Sequence, residues 1–161
     1  MTDQADALRT ARPEDLGAIR ALLRTCDLPS EDLTPAHLPH FLVAPGDDGL
    51  RGCVGCEAGG DDALLRSLAV RPAARGEGLG GLLVDALERR ARRSGIRALY
   101  LLTTTAASFF RRRGYEKIGR EALPDPLQHT EEAACLCPAS ATCMRKPLGT
   151  ATTDAPSSST F

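Results

Sequence analysis

The chain has 161 residues, 42% of them hydrophobic and 25% charged, and 20 Lys and Arg against 21 Asp and Glu leave a net charge of −1. That length fits one domain with a single core, and the balance excludes a collagen-like or wholly disordered chain. A near-neutral chain offers no basic footprint for nucleic acid, and its longest apolar stretches, such as Leu99-Tyr100-Leu101-Leu102, fall far short of the ~20 residues that cross a bilayer.

Met1-Thr2-Asp3-Gln4 lacks the apolar segment of a signal peptide, so a soluble cytoplasmic protein with no membrane partner is expected. Six cysteines stand at 26, 53, 56, 135, 137 and 143. In a reducing compartment they are thiols rather than a disulfide framework.

In chain order, Ala7 to Ala11 reads as a first strand, and Arg12-Pro13-Glu14-Asp15 opens a helix whose Leu16, Ile19, Leu22, Leu23 and Cys26 form one buried face. A short helix is expected from Thr34-Pro35, then a second strand, Phe41 to Ala44. The turn Gly46-Asp47-Asp48-Gly49 leads into a third, Leu50 to Ala58, and Gly59-Gly60-Asp61-Asp62 into a fourth, Ala63 to Val70. A long helix follows the glycine-rich segment 75–81. Leu79, Leu82, Leu83, Ala86, Leu87 and Ala91 form its apolar stripe, with Asp85, Glu88, Arg89, Arg92 and Arg93 opposite and Gly95 as C-cap. Ala98 to Thr103 is a fifth strand that barely alternates, Ala106 to Arg113 a short helix, Tyr115 to Arg120 a sixth strand and Cys143 to Lys146 a seventh. Three prolines interrupt 121–142, and from Gly149 the composition is that of a disordered tail.

A glycine-rich turn between strand and helix is a way to hold phosphate, because glycine reaches positive φ and the first N–H groups of the helix then face the anion. A nucleoside-triphosphate loop needs a lysine and a hydroxyl after its last glycine, and here the chain continues Gly80-Gly81-Leu82. A dinucleotide fingerprint matches at Gly76, Gly78 and Gly81, but five residues separate it from the strand and no acid follows the next strand, which ends Thr103-Thr104-Thr105. A glycine turn that merely connects strand to helix stays as the bland alternative.

Taken with Arg75, the segment reads Arg-x-x-Gly-x-Gly at 75, 78 and 80. In this it resembles the GNAT acetyltransferases, whose corresponding motif binds the pyrophosphate of acetyl-CoA. Leu68-Ala69-Val70-Arg71-Pro72 is similar to that family's fourth strand and its exit, and Phe109 to Tyr115 to its later aromatic and Gly-aromatic element, so the likeness runs over about residues 7 to 148. It implies a GNAT domain over 1–148 and a tail over 149–161. The implied fold is α/β (α+β): a mixed, mostly antiparallel sheet of six to seven strands, helices on both faces, and strands four and five splayed apart. A narrower likeness, carried by 64–70, 99–106 and 136–144, is to arsenic-resistance N-acetyltransferases; it implies an amine-bearing organoarsenical or a related amino acid as acceptor.

The resemblance implies that acetyl-CoA is the co-substrate, with no metal. Backbone around Leu68, Ala69 and Val70 would hold its pantetheine arm, and Arg75, Gly76, Glu77, Gly78, Leu79 and Gly80 its pyrophosphate. Glu57, at a strand end beside a glycine turn, is the candidate base for a small-molecule amine; an isolated Glu there is more commonly a surface carboxylate. Arg66 lies among apolar neighbours by strand alternation, facing either a substrate carboxylate or a structural acid. The family's general acid, a tyrosine, is replaced by Phe110, which is left as a core or cofactor-facing wall. Thr103, Thr104 and Ser140 are weaker candidates near the acceptor, and a homodimer through a sheet edge is compatible with the fold.

Cys53-x-x-Cys56 places its thiols on opposite faces of a strand, which argues against structural zinc, and His37, His40 and His129 are scattered. Cys135, Cys137 and Cys143 are either small inert thiols or ligands for a soft centre. The alternative to an enzyme is therefore a CoA-binding or thiol-based arsenical-binding module without turnover.

Overall fold

The computed structural model describes residues 8–47, 49–128, 130 and 141–149. Cys135, Cys137, Ser140, His129 and the tail from residue 150 lie outside the described residues. The elements are β1 (Arg9–Thr10), α1 (Leu16–Thr25), β2 (Phe41–Gly46), β3 (Gly49–Gly59), β4 (Asp62–Val70), α2 (Leu79–Arg93), β5 (Ala98–Thr103), α3 (Ala107–Arg112), β6 (Glu116–Ile118), α4 (Asp125–Gln128) and β7 (Thr142–Pro147). Among the described residues seven strands hydrogen-bond in the order β1-β2-β3-β4-β5-β7-β6. β4 and β5 pair parallel, whereas β1/β2, β2/β3, β5/β7 and β6/β7 are antiparallel, giving a mixed, mostly antiparallel sheet in an α/β chain. The first strand is shorter than the five residues expected, and Thr34-Pro35 opens a 3-10 helix, Pro35–His40, rather than an α-helix.

The chain divides into two compact units, Met1–Cys56 with Arg66–Leu87, and Glu57–Leu65 with Glu88–Phe161. In the first, Val43 pairs with Cys53 and Phe41 with Gly55, and this face carries Phe41, Val43 and Cys53 onto Ile19, Leu22 and Leu23 of α1. The other face, at Gly52, meets α2: a Cβ there would lie 3.0 Å from Leu83 and 3.2 Å from Leu79. Strand alternation thus gives one strand two helical partners. Asp15 secures the entry to α1 by accepting the Arg12 N–H at 2.7 Å and pairing with Arg9 at 2.8 Å.

In the second unit β5 is the buried centre, paired along its length with β7, and on its other side with Asp62, Ala63 and Leu64 of β4. That parallel register runs Asp62 to Ala98, Ala63 to Leu99 and Leu64 to Tyr100. Glu88 corrects the expected solvent face of α2. It is 4% exposed, accepts the Tyr115 hydroxyl at 2.9 Å and pairs with Lys146 at 3.0 Å. One residue beyond Leu87, it sits at the border of the apolar stripe, where Val84 is also buried.

Three helices close alike. Ile96 N–H reaches Ala91 O, Tyr115 N–H reaches Phe110 O and Leu28 N–H reaches Leu23 O, with Gly95, Gly114 and Asp27 at the left-handed position. Gly114 thereby turns the chain so that the Tyr115 ring lands on Phe110, 5.3 Å away edge-to-face. This accounts for the Gly-aromatic pair.

The ring of Phe41 lies over Gly55, where an added Cβ would meet it at 2.3 Å, and Phe41 is fully buried. Gly55→Ala is therefore expected to cost about 1–3 kcal/mol by overpacking, read as a lower urea midpoint; an unchanged midpoint would show that the ring is not seated there.

Candidate functional site

The segment between β4 and α2 belongs to the first unit. A 3-10 turn, Pro72–Ala74, carries the chain out of β4, and Gly76 and Gly78 then adopt φ +88° and +80°. Those values exclude most side chains and explain both glycines; an added Cβ would meet nothing within 4 Å, so the loop borders open space. The first bond of α2 is Leu82 N–H to Gly78 O at 3.1 Å. The N–H groups of Gly78, Leu79 and Gly80 precede it and face out of the helix start, at the positive end of its dipole. Gly80 itself lies within the first turn and needs no unusual φ.

Arg75 begins this loop. Its Nε donates to Val70 O at 2.9 Å and its Nη2 to Cys26 Sγ at 3.4 Å, which ties the end of β4 to the end of α1. The guanidinium charge is thus held in place at the mouth of the loop with two of its five N–H groups used by these bonds. Cys26, exposed in part, was not singled out in this role by anything in the sequence.

β4 departs from simple alternation. Ser67 has φ +60°, a left-handed conformation for a side-chain-bearing residue. Arg66 and Ser67 are consequently both buried, Ala69 is 2% exposed, and Leu68 and Val70 are half-buried. Burial over residues 63–67 is therefore continuous rather than alternating.

Of the two partners expected for Arg66, the structure supplies the internal acid. The guanidinium, 1% exposed, grips Asp32 through both ends, one bond 2.8 Å long, and its Nε donates to Ser67 Oγ at 2.9 Å. Burial alone would push the Asp32 carboxyl up, but Arg66 overrides it and holds the group below its usual range. Asp15 is likewise held down, chiefly by its hydrogen bond from Arg9. Arg66 therefore ties β4 to the segment after α1.

The remaining candidates lie in the second unit. Glu57 is half-buried near the end of β3. Thr103 Oγ1 accepts the N–H of Ala106 at 2.9 Å and so serves the start of α3, while Thr104 is exposed. Phe110 is 4% exposed between Phe109 and Tyr115 and is a core ring. Burial pushes the Tyr115 hydroxyl far above its ordinary value, with the Glu88 charge adding to the shift, so it stays protonated on Glu88. Cys53 is fully buried and pushed up to about 12 by burial, its thiol donating to Ser67 O at 3.3 Å. It is an inert core thiol.

Residues 37–117, half of the chain, match the family described as "Acetyltransferase (GNAT) domain". The chain belongs to the GNAT acetyltransferase family. Among curated GNAT relatives, an amino-acid acetyltransferase of Azotobacter vinelandii is 32% identical over 130 residues, covering 76% of this chain and 30% of that protein. A second, from Pseudomonas fluorescens, is 31% identical with the same coverage. The chain therefore spans about 30% of the length of these curated relatives. Among solved structures, N-acetylglutamate synthase from Neisseria gonorrhoeae, complexed with coenzyme A and N-acetyl-glutamate, superposes with a TM-score of 0.76 at 24% identity, over 88% of this chain and 35% of that one. A Mycobacterium tuberculosis protein in complex with CoA gives 0.72 at 24% identity, over 87% and 98%. At these identities the structural likeness speaks to the GNAT fold.

Because Asp15 and Asp32 sit below their unfolded values, their stabilisation is present above about pH 4 and lost as the pH falls through their folded values. Urea midpoints should therefore drop steeply below about pH 4. Arg66→Leu should cost about 3–5 kcal/mol near neutral pH by stranding a buried carboxylate, with Arg66→Leu/Asp32→Leu recovering part of it. Equal loss in the single and double variants would contradict the pairing.

Proposed function

We propose that this chain is an acetyl-CoA-dependent N-acetyltransferase that moves an acetyl group to the amine of a small, amino-acid-like molecule. The observation that carries it is the left-handed Gly76 and Gly78 pair opening onto the first N–H groups of α2 with Arg75 at its side. That arrangement fits a diphosphate: fixed donors, a dipole of the right sign, a cation, and open space where side chains would otherwise intrude. Family membership and relatives named amino-acid acetyltransferases support the same reading.

Arg75, Gly76, Glu77, Gly78, Leu79 and Gly80 bind the diphosphate, and the backbone of Leu68, Ala69 and Val70 lines the pantetheine arm. Much of the acceleration then comes from holding both reactants in place. The bend at Ser67 turns a backbone N–H of this segment toward the carbonyl oxygen on which charge develops. Glu57 takes the ammonium proton so that the amine can attack. Phe110 cannot donate a proton and Tyr115 is committed to Glu88. After attack the nitrogen gives its second proton to water, and the departing thiolate, stable enough to leave, takes its proton from water. The acceptor class includes amine-bearing organoarsenicals, as the sequence likeness to arsenic-resistance acetyltransferases implies.

Purified protein with acetyl-CoA and a panel of amino acids, polyamines and amine-bearing organoarsenicals should release free thiol with at least one amine. Glu57→Gln should lower kcat by about 10²–10⁴ at neutral pH while leaving acetyl-CoA binding intact. Unchanged turnover would remove Glu57 from the mechanism, and no thiol release with any amine would favour the module without turnover.

A further inference from the structure

In the second unit a cavity of about 250 Å³ is lined by Arg120, Glu121, Leu123 and Gln128. None of these residues has a part in the chemistry assigned above. Their placement follows from local backbone. β6 ends at Ile118, Gly119 is extended, and a single 3-10 turn, Arg120–Ala122, sets Arg120 and Glu121 side by side before Leu123 turns inward. Gly119 makes room for the acid: a Cβ built on it would lie 2.2 Å from Glu121 Oε2, so the carboxylate rests against bare backbone.

The floor beneath is apolar. Leu123 is 2% exposed and packs with Leu127 and Cys143. Burial pushes the Cys143 thiol up, and both Arg120 and Glu121 are near enough to act on it in opposite directions. At the rim, Gln128 Nε2 donates to Leu123 O at 2.6 Å, which fixes the carboxamide across the opening.

A guanidinium and a carboxylate one residue apart, over an apolar floor, complement a ligand that carries both charges on neighbouring atoms with an apolar remainder. A simple anion would be repelled by Glu121 and a simple amine by Arg120. We propose that this cavity binds the zwitterionic head group of a free α-amino acid, its carboxylate on Arg120 and its ammonium on Glu121. The amino acid is either the acceptor, which rests on the acetyltransferase reading, or an effector, which does not.

The test is calorimetric titration of the full chain, without acetyl-CoA, with free amino acids, their amides and their N-acetyl derivatives. At least one amino acid should bind saturably, and removing either its carboxylate or its ammonium should weaken binding about tenfold or more. Arg120→Gln and Glu121→Gln should each weaken it to a similar degree, and Arg120→Lys should restore part of the loss. In turnover assays, Arg120→Gln raising the KM for that amino acid marks it as the acceptor, whereas a changed kcat with a different amine marks an effector. Binding indifferent to both charge-removing variants, or no saturation by any amino acid at tens of millimolar, overturns the proposal. Because no acetyl-CoA is present, the binding result stands apart from whether the chain turns over.

Discussion

A helix that begins at Leu79 leaves its first N–H groups without a carbonyl four residues behind them, and the functional reading of the first unit follows from where those donors are put. Gly78 sends the chain into the helix from a left-handed conformation, Gly76 repeats it two residues earlier, and Arg75 is tied back to Val70 and Cys26. Under the function proposed above, this loop at the exit of a strand is the seat for an anion. A loop held this way by its own backbone and by Arg75 would lower the ordering cost of the diphosphate the proposal places there.

In each unit a deeply buried charge stiffens the framework. Arg66 has no contact with water and is held by Asp32, and it fixes the segment after α1 against β4 next to the bend at Ser67. Glu88 plays the matching part in the second unit, joining α2, the Gly-aromatic corner and β7 through Tyr115 and Lys146. Such pairs contribute less to net stability than their contacts suggest, since each ion was stripped of water, but they penalise any arrangement that separates the partners.

The long helix, the buried fifth strand, the succession of strands along the chain up to β5 and the glycine loop were legible in the sequence because each depends on short-range pattern: helical spacing, an uninterrupted apolar run, turn residues at fixed offsets. What stayed hidden depends on distance. The partner of Arg66 lies 34 residues upstream, and that of Glu88 lies 27 and 58 residues downstream. No local pattern announces either, so Arg66 reads equally well as a substrate ligand and Glu88 as a solvent-facing acid. Ser67 is a third kind of miss, since a non-glycine residue at φ +60° inside a strand has no composition signal. Asp27, closing α1 where glycine is usual, evades the same rule.

The most direct measurement compares the affinities of CoA, 3′-dephospho-CoA and pantetheine for the purified chain. If the start of α2 seats the diphosphate, the two diphosphate-bearing molecules bind alike within a few-fold and pantetheine binds weaker by about two orders of magnitude or more. Pantetheine binding as tightly as CoA, or neither molecule binding at millimolar concentration, would contradict it.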